Sequence, residues 1–257
     1  MATPSYEIFA LKYAGPFIRP ASMVTWFRDL DKTALINYYI FVIRGGAETT
    51  IVDCGCAPQL AQDRNLTGYV NPVDVLKRID IDAQKVKHVV ATHIHFDHIS
   101  GIELFPQADI FLQEKEFNFW IKNPMAKRAP FLHVTDPVSN GYLARLEGTQ
   151  RLKLVRGDKK ILPGIELLLA PGHTIGLQVV AVNTAKGTAI IGSDAAHVFS
   201  SYRTDIPSAI ITDMVAWMKT YDKIRAKASS IDLIFPGHDP ALLTDYPKVA
   251  EDVSRLV

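Results

Sequence analysis

Short apolar runs rich in β-branched and aromatic residues alternate with amphipathic stretches along the chain. Residues 37–43 (NYYIFVI) and 49–53 (TTIVD) are separated by RGGAE, and residues 177–183 (LQVVAVN) and 188–194 (TAIIGSD) are separated by TAKG. Each pair predicts a β-hairpin. Because the two hairpins lie far apart in the sequence, we expect them to belong to two different sheets.

Helical periodicity appears between and after these runs. Residues 72–80 predict a helix with a proline near its start, and residues 85–92 return to strand character. Residues 211–227 and 246–256 carry apolar side chains at helical spacing and predict covering helices. Hairpins combined with strand–helix crossovers favour the α/β (α+β) class, as a sandwich of two sheets with helices outside, over a simple doubly wound sheet.

Residues 117–160 lack a clear period and mix aromatic residues with prolines and basic residues. Long irregular segments in compact domains are often lids or binding loops. We therefore expect a substrate loop or lid in this region. A length of 257 residues suits one large domain, and we expect a single domain over residues 1–257.

Composition and charge narrow the class of partner. The chain is 48% hydrophobic and 21% charged, which is typical of a folded globular protein and excludes disorder. The formal net charge is +1, with no long run of either sign. A basic surface for nucleic acid or an anionic membrane is therefore not expected, and a small-molecule substrate is favoured.

The N-terminal stretch MATPSYEIFALKY lacks the pattern of an export signal, and no segment reaches the roughly 18 apolar residues of a membrane span. We therefore expect no membrane partner and cytoplasmic residence. Cys54 and Cys56 are separated by one residue, and such a short loop does not suit disulfide geometry. Reduced, partly buried thiols are the expected state, with a redox or metal role as the alternative.

The densest chemistry lies in HIHFDHISG, residues 93–101, directly after an apolar run. His93 and His95 are two residues apart and can point to the same side of an extended backbone, while Asp97 and His98 fall where a helix could begin. The spacing predicts two adjacent ligand sets. Imidazole and carboxylate groups are ligands that zinc accepts, and to a lesser degree iron, manganese or cobalt. Burial of these histidines and the aspartate without a cation would cost free energy.

Other apolar runs end in the same way. His173 and His238 each follow a run that closes with Pro-Gly-His, and Asp194 follows TAIIGS. Four strand ends that each carry a metal-type ligand can converge on one edge of a sandwich.

The pattern H-x-H-x-D-H, followed by single His, Asp and His residues at widening intervals, resembles the metallo-β-lactamase-fold hydrolases. The resemblance extends from TTIVDCG to FPGHD. It implies an αββα sandwich with a dinuclear site at one edge. Carried over by position, it implies His93, His95 and His173 at the first metal, Asp97, His98 and His238 at the second, and Asp194 as the bridge.

Within this superfamily, HIHFDHISG and PGHTIGLQ are most similar to the N-acyl homoserine lactonase family. The commonest β-lactamases have a cysteine at the position of Asp194, diiron flavoproteins have a glutamate at the position of His95, and glyoxalase II relatives carry a larger C-terminal helical module. RNA-processing members carry extra modules and more positive charge. The resemblance therefore points to lactone hydrolysis.

One departure concerns the residue three positions after Asp194. The lactonases place a tyrosine there to contact the substrate, and this chain has His197. His197 and Tyr202 are therefore the candidate donors to the oxyanion or leaving group, and Asp97 is the candidate proton shuttle. A second departure is Cys54, where the lactonases usually have threonine.

The expected function is the opening of a lactone by attack of a metal-bridging hydroxide, with an N-acyl homoserine lactone as the candidate substrate. The expected cofactors are two divalent ions, with zinc favoured over iron, manganese or cobalt. Alternatives are hydrolysis of another ester, a thioester, a cyclic amide or a phosphoester at the same site, a diiron oxidoreductase, and a zinc-binding sensor or interaction protein. The sequence is compatible with a monomer or a homodimer.

Overall fold

The strands of the protein form two sheets in the computed structural model, which describes residues 3–45 and 48–257. The strands are β1 (Glu7–Pro20), β2 (Thr33–Arg44), β3 (Thr50–Val52), β4 (His88–Val90), β5 (Asp109–Gln113), β6 (Leu152–Val155), β7 (Lys159–Leu162), β8 (Ile165–Leu169), β9 (Gln178–Thr184), β10 (Gly187–Gly192), β11 (Ile234–Pro236), β12 (Lys248–Ala250) and β13 (Val253–Arg255). The larger sheet has the order β12-β13-β1-β2-β3-β4-β5-β6, and the smaller has the order β11-β10-β9-β8-β7. From β3 to β6 the larger sheet is parallel.

Helices cover both sheets. The α-helices are α1 (Ala21–Val24), α2 (Pro58–Asp63), α3 (Pro72–Lys77), α4 (Phe96–Ile99), α5 (Glu114–Phe117), α6 (Ala129–Leu132), α7 (Pro137–Leu146), α8 (Ser193–Ala196), α9 (Phe199–Thr204), α10 (Met214–Lys227) and α11 (Ala241–Thr244). Single turns of 3-10 helix span Ala83–Lys85, Ile102–Leu104, Pro124–Lys127 and Ile231–Leu233, and a π-helical turn spans Asn118–Lys122.

Period-two alternation divides the apolar residues of each sheet between two faces. In β2, Phe41 and Ile43 pack with Val180 and Val182 of β9, between the two sheets. Val42 faces the other way, into the core that also contains the buried side of α3. The outer face of the smaller sheet packs against α10. The layers are therefore helix, sheet, sheet, helix, and the predicted αββα sandwich is confirmed.

Both predicted hairpins are present, and they lie in different sheets as expected. β2 pairs with β3 in the larger sheet, and β9 pairs with β10 in the smaller, each antiparallel. Part of the first predicted turn, residues 46–47, lies outside the described residues. The hairpin strands consist largely of buried β-branched and aromatic residues, which explains why the pattern predicted them correctly.

Side-chain caps determine where two of the predicted helices begin. The Asn71 side chain accepts a hydrogen bond from Val73 N at 3.0 Å ahead of α3, and the Asp213 side chain accepts one from Ala216 N at 2.9 Å ahead of α10. These caps satisfy backbone N–H groups that have no partner within the helix. The helix expected from residue 211 therefore begins at Met214.

The helix predicted over residues 246–256 is wrong. The structure has an antiparallel hairpin there, β12 and β13, and β13 pairs with β1. Asp252 adopts a φ of 56° at the turn, which a helix would not permit. Val249 and Val253 fit the spacing of a helix, but as β-branched residues they also favour strands, and the open edge of β1 offers a ladder of hydrogen bonds.

Residues 117–160 contain more regular structure than we expected. α7 and β6 account for much of the segment, and β6 extends the larger sheet beside β5. The less regular part is residues 118–136, which contain a π-helical turn, a 3-10 turn and α6. The role of this part as a lid stays a prediction.

In the described part of the chain, no helix combines the length and the apolar character that a membrane crossing requires.

Candidate metal centre

The loops that follow four strands bring seven ligand-type side chains together at one edge of the sandwich. His93 and His95 follow β4, Asp97 and His98 lie in α4, and His173, Asp194 and His238 follow β8, β10 and β11. All seven are buried, with exposed fractions between 0% and 8%. The residues that the sequence predicted as ligands therefore meet, although they are contributed by two separate sheets.

The seven side chains form two groups. One contains His93, His95, His173 and Asp194, and the other contains Asp97, His98 and His238, with the ligand atoms of each group within 4.8 Å of one another. These are the two sets that the resemblance implied.

Asp194 faces both groups, one with each carboxylate oxygen. Its Oδ2 lies 3.1 Å from His173 Nε2, and its Oδ1 lies 2.8 Å from His238 Nε2 and 3.2 Å from His98 Nε2. A carboxylate in this position can share its oxygens between two neighbouring cations.

Several inward-facing polar atoms make no well-formed hydrogen bond, although buried polar atoms normally do. Among the described residues these atoms include His93 Nε2, His98 Nε2 and Asp194 Oδ1, and the close contacts of the last two are with other ligand atoms of the cluster. His173 Nε2 and His95 Nδ1 lie 3.0 Å apart. Nitrogen lone pairs that converge on carboxylate oxygens suit a divalent cation, and the residues present fit metal ions at both groups.

The protonation states of the first group also suit metal binding. Burial lowers the pKa of His93 and of His95 well below the usual value, and the neighbouring imidazoles add to this effect. Both rings are therefore neutral at neutral pH and can donate a lone pair.

Asp97 and Asp194 supply the negative charge of the cluster. Burial opposes the charge on Asp97 and on Asp194, but the neighbouring histidines lower the pKa of Asp97 to about 2 and that of Asp194 well below its usual value. Burial also opposes the charge on His98 and His238, but the surrounding carboxylates raise the pKa of both. In the metal-free protein this second group therefore holds protons that a metal ion would displace.

A layer of hydrogen bonds outside the cluster fixes the orientation of the imidazoles. His98 Nδ1 donates to Asp53 at 2.7 Å, His238 Nδ1 donates to Asn37 O at 2.8 Å, and His173 Nδ1 donates to Ile210 O at 2.9 Å. In each case the outer ring nitrogen is occupied, so the inner one faces the cluster.

Asp53 is a site residue that the sequence analysis missed. Besides His98, its carboxylate accepts hydrogen bonds from Thr92 N at 2.8 Å, Thr92 Oγ1 at 2.9 Å and Ser193 Oγ at 3.2 Å. It therefore links the loops after β3, β4 and β10. The signal was present, because Asp53 ends an apolar run as Asp194 does.

Glu116 was also missed, and it has no local signal. Its carboxylate is fully buried and accepts hydrogen bonds from Ile94 N at 3.0 Å, Gly176 N at 2.8 Å, Thr174 Oγ1 at 2.9 Å and Trp120 Nε1 at 2.6 Å. Ile94 lies between two predicted ligands, and Thr174 follows a third. Glu116 therefore holds the loop that contains His93 and His95 against the loop that contains His173.

The two donor candidates have different surroundings. His197 lines the cleft beside the cluster, with Nδ1 3.7 Å from Asp194 Oδ2 and its ring 4.9 Å from that of His238. Its backbone has a φ of 48° and a ψ of −72°, a sparsely populated conformation of the kind that clusters at functional sites. Burial lowers the pKa of His197, although Asp194 opposes this effect. His197 is therefore a neutral imidazole next to the cluster.

Tyr202 does not face the cleft. Its side chain is fully buried against the outer face of the smaller sheet, and its hydroxyl donates to Ile234 O at 2.9 Å. This position corrects the prediction that Tyr202 donates to a substrate. A tyrosine close in sequence to Asp194 was a reasonable candidate, but α9 turns it into the core.

The two cysteines are free and buried, as expected. Burial raises the pKa of the Cys54 thiol well above its usual value and that of the Cys56 thiol to about 12. Both thiols are therefore protonated, which does not suit metal binding.

A cleft opens onto the cluster. Asp97, Asp194, His197 and His238 form its floor. Most of its walls are apolar, and three further polar residues, His95, Arg19 and Tyr38, line it. A small molecule can therefore reach the cluster from this side.

The family model described as the metallo-beta-lactamase superfamily matches residues 35–238, most of the chain. The chain belongs to the metallo-beta-lactamase superfamily. The matched residues include all seven residues of the cluster, so the family and the geometry identify the same site.

The chain is similar to particular members of the superfamily, two of them by sequence and one by structure. An N-acyl homoserine lactonase from Bacillus sp is 25% identical over 193 residues, which cover 74% of this chain and 68% of the relative. The N-acyl homoserine lactonase AttM from Rhizobium radiobacter is 25% identical over 232 residues, which cover 84% and 86%. A crystal structure of a quorum-quenching N-acyl homoserine lactone lactonase superposes with a TM-score of 0.78 at 19% identity and covers 96% of this chain and 98% of that chain.

Proposed function

We propose that this superfamily member is a metal-dependent hydrolase that opens a lactone ring. The observation that carries the proposal is the position of Asp194, which turns one carboxylate oxygen to each of two groups of buried ligands. The relatives described as N-acyl homoserine lactonases support a cyclic ester as the substrate class.

We assign His93, His95 and His173 to a first divalent ion, Asp97, His98 and His238 to a second, and Asp194 to both. Zinc is the proposed ion, because imidazole and carboxylate ligands suit it. Two bound ions would supply a hydroxide at neutral pH and polarise the substrate carbonyl.

Asp97 is the proposed proton carrier. Its carboxylate is ionised and borders the cleft, with Oδ2 3.5 Å from His98 Nε2 and 3.7 Å from His238 Nε2. It can accept a hydrogen bond from the attacking water and pass the proton to the ring oxygen as the C–O bond breaks. The products are then a hydroxyl group and a carboxylate, with one water consumed.

His197 is the proposed donor to the oxyanion. It is a neutral imidazole on the floor of the cleft, at the edge of both groups. An N–H directed at the carbonyl oxygen stabilises the negative charge that develops when water adds to the carbonyl carbon.

Further proposals concern domain organisation, location and partners. We propose a single domain over residues 1–257, a substrate loop or lid within residues 117–160, and cytoplasmic residence as a monomer or homodimer. A small-molecule substrate is the proposed partner, with no role for nucleic acid or a membrane.

A panel of lactones tests the proposed function. Hydrolysis of acyl-homoserine lactones of several chain lengths and of simple γ- and δ-lactones is followed with a pH indicator for the zinc-loaded protein. We expect turnover of at least one class, and a fall in kcat of roughly 10²- to 10⁴-fold for Asp97→Asn. The control is Asp74→Asn, which alters an exposed aspartate in α3.

A kcat for Asp97→Asn equal to that of the wild type would contradict the proposed role of Asp97. Zinc-loaded protein without turnover of any lactone would contradict the substrate class. The same preparation would then be tested on thioesters, cyclic amides and phosphoesters.

A further inference from the structure

The cleft above the cluster has an uneven distribution of charge. Its walls are formed by Met23, Val24, Ile36, Phe96, Val134 and Ile210. Arg19 is the one arginine or lysine among the residues that line it. A single cation in apolar surroundings favours a ligand with a negative charge, because charge–charge attraction strengthens as water is excluded.

The sequence places Arg19 at this position through strand alternation. Arg19 is the residue before last in β1, and Phe17 lies two residues earlier, on the same face of the strand. The guanidinium carbon lies 5.0 Å from the centre of the Phe17 ring. Ile18, between them, points away and is 67% exposed. The strand therefore directs Arg19 inward over an aromatic surface.

Arg19 has no acidic partner in the part of the chain that the structure describes. Its guanidinium donates to the carbonyl of the neighbouring Ile18 at 3.2 Å, lies beside the Tyr38 hydroxyl, and forms no ion pair within 4.0 Å there. The remaining N–H groups of a guanidinium form a planar fork that matches a carboxylate. Arg19 therefore has donors available to a ligand.

Tyr38 lies between Arg19 and the cluster. Its ring packs 4.5 Å from that of Phe17 and 5.3 Å from that of His238, measured between ring centres. Arg19, Tyr38 and Asp97 line the same cleft. A ligand that reaches from the cluster to Arg19 would therefore pass Tyr38.

We infer that Arg19 binds a carboxylate group of the substrate, so that the preferred substrate is a lactone with a free carboxylate instead of a neutral lactone. This inference rests on the proposed function. The cluster would hold the reacting ester, and Arg19, on the wall of the cleft beside Phe17 and Tyr38, would hold the carboxylate. Two fixed ends orient the carbonyl for attack, which is how binding energy away from the reacting bond contributes to rate.

Matched pairs of lactones test this assignment. One member is a γ-butyrolactone with a carboxylate attached to the ring directly or through arms of increasing length, and the other is the corresponding carboxamide. We expect the wild-type protein to favour the carboxylate by roughly 10- to 100-fold in kcat/KM for the arm that fits, the range of a charge-assisted hydrogen bond. Most of the preference should appear in KM.

Arg19→Gln isolates the charge. It should reduce the preference to about one, because the rate on the carboxylate falls far more than the rate on the carboxamide. Circular dichroism and denaturant unfolding of the variant check that it is folded. The matched control is Arg28→Gln, which removes an exposed arginine from the same N-terminal region outside the cleft and should keep the full preference.

Two results would overturn the assignment and leave the proposed function intact. One is equal or better turnover of the carboxamides and of neutral acyl-homoserine lactones by the wild-type protein. The other is a carboxylate preference that persists in Arg19→Gln. Absence of turnover on every lactone, charged or neutral, would instead reject the proposed function itself.

Discussion

Two histidines beside Asp194 can have different roles, and their individual contacts distinguish those roles. His173 directs one ring nitrogen to Ile210 O and the other to Asp194, as an oriented metal ligand would. His197 also approaches Asp194, but its Nδ1 has no hydrogen-bond partner among the described residues. The second arrangement leaves His197 free to contact a substrate.

His197→Asn should therefore reduce turnover without loss of metal. Asparagine tolerates a positive φ better than most residues, so the backbone at this position is preserved. We expect kcat to fall by about 10²-fold, the low end for loss of an oxyanion donor. Steady-state kinetics and metal analysis of the same preparation check this, and a loss of metal in parallel with activity would assign His197 as a ligand.

Tyr202→Phe should reduce stability and leave catalytic activity unchanged. It removes the buried hydrogen bond to Ile234 O, so the free energy of unfolding should fall by about 1 kcal/mol. Kinetic parameters should not change, because the hydroxyl does not line the cleft. Denaturant unfolding and lactone kinetics test both parts, and a selective loss of kcat would restore Tyr202 as a donor candidate.

At the scale of elements, the loops that carry the ligands depend on carboxylates outside the cluster. Glu116 in α5 fastens the loop after β4 to the loop after β8 through three backbone and side-chain donors. An amide in its place can accept hydrogen bonds through only one atom. The geometry of both histidine loops therefore depends on the charge and shape of this one group.

Glu116→Gln should weaken metal binding by roughly 10- to 100-fold, the range for loss of an outer hydrogen-bond partner. A chelator competition assay measures this affinity, and the absorption spectrum of the cobalt-substituted protein reports any change in ligand geometry. Glu114→Gln is the matched control, since it alters an exposed glutamate of the same helix that pairs with Arg156. Equal metal affinity in both variants would contradict the role assigned to Glu116.

The C-terminal hairpin is attached to the sheet partly by charge. Asp252 contacts Lys12 at 2.8 Å and Arg78 at 3.0 Å. Burial opposes its charge, but these two cations lower its pKa below the usual value. A lowered folded-state pKa stabilises the fold above the usual aspartate pKa, and this stabilisation is lost as the pH falls through the folded-state pKa.

Asp252→Asn should therefore lower the free energy of unfolding by about 0.5 to 1 kcal/mol at neutral pH. Asparagine also accepts the positive φ of this turn, so the variant isolates the charge. Denaturant unfolding over a pH series measures the effect. The difference from wild type should shrink under acid conditions, and a difference that is constant with pH would exclude an electrostatic origin.

The elements that could be predicted from sequence are those whose stability is encoded locally. β2, β9 and β10 are continuous apolar runs, and α10 carries both a cap and a buried face. The C-terminal hairpin could not be predicted, because its stability comes from pairing with β1 at the opposite end of the chain. The apolar residues in 246–256 have helical spacing only by coincidence, because their side chains belong to strands.

Whole-molecule architecture explains why the ligands of the site could be predicted while their surroundings could not. The ligands each terminate an apolar run, and strand ends in a sandwich meet at an edge. Glu116 acts on partners that are distant in sequence, and Arg19 and Tyr38, from the N-terminal part of the chain, line the same cleft as the ligands. No single-sequence pattern marks such contacts, because they exist only after the two sheets have packed.

The cluster also connects the two sheets. His93 and His95 extend from the larger sheet, whereas His173, Asp194 and His238 extend from the smaller one. Metal ions bound by the cluster would link the two sheets. They would stabilise the folded state and not the unfolded chain.

Metal removal should therefore lower the melting temperature. Free metal at about a hundred times its dissociation constant stabilises a fold by about 2.7 kcal/mol, which corresponds to roughly 5 to 10 °C for a chain of this size. Thermal unfolding with and without a chelator measures the shift, with zinc added back as the control. An unchanged melting temperature would indicate that no structural link forms at the cluster.

A titration of metal-free protein with zinc, in which lactone turnover and bound metal are measured in the same samples, tests the dinuclear site. We expect turnover to rise with zinc and to reach its maximum at about two ions per chain, with kcat of Asp97→Asn roughly 10²- to 10⁴-fold lower at the same occupancy. Turnover that is complete in the metal-free protein, or protein that binds no zinc, would contradict the proposal of a dinuclear hydrolase.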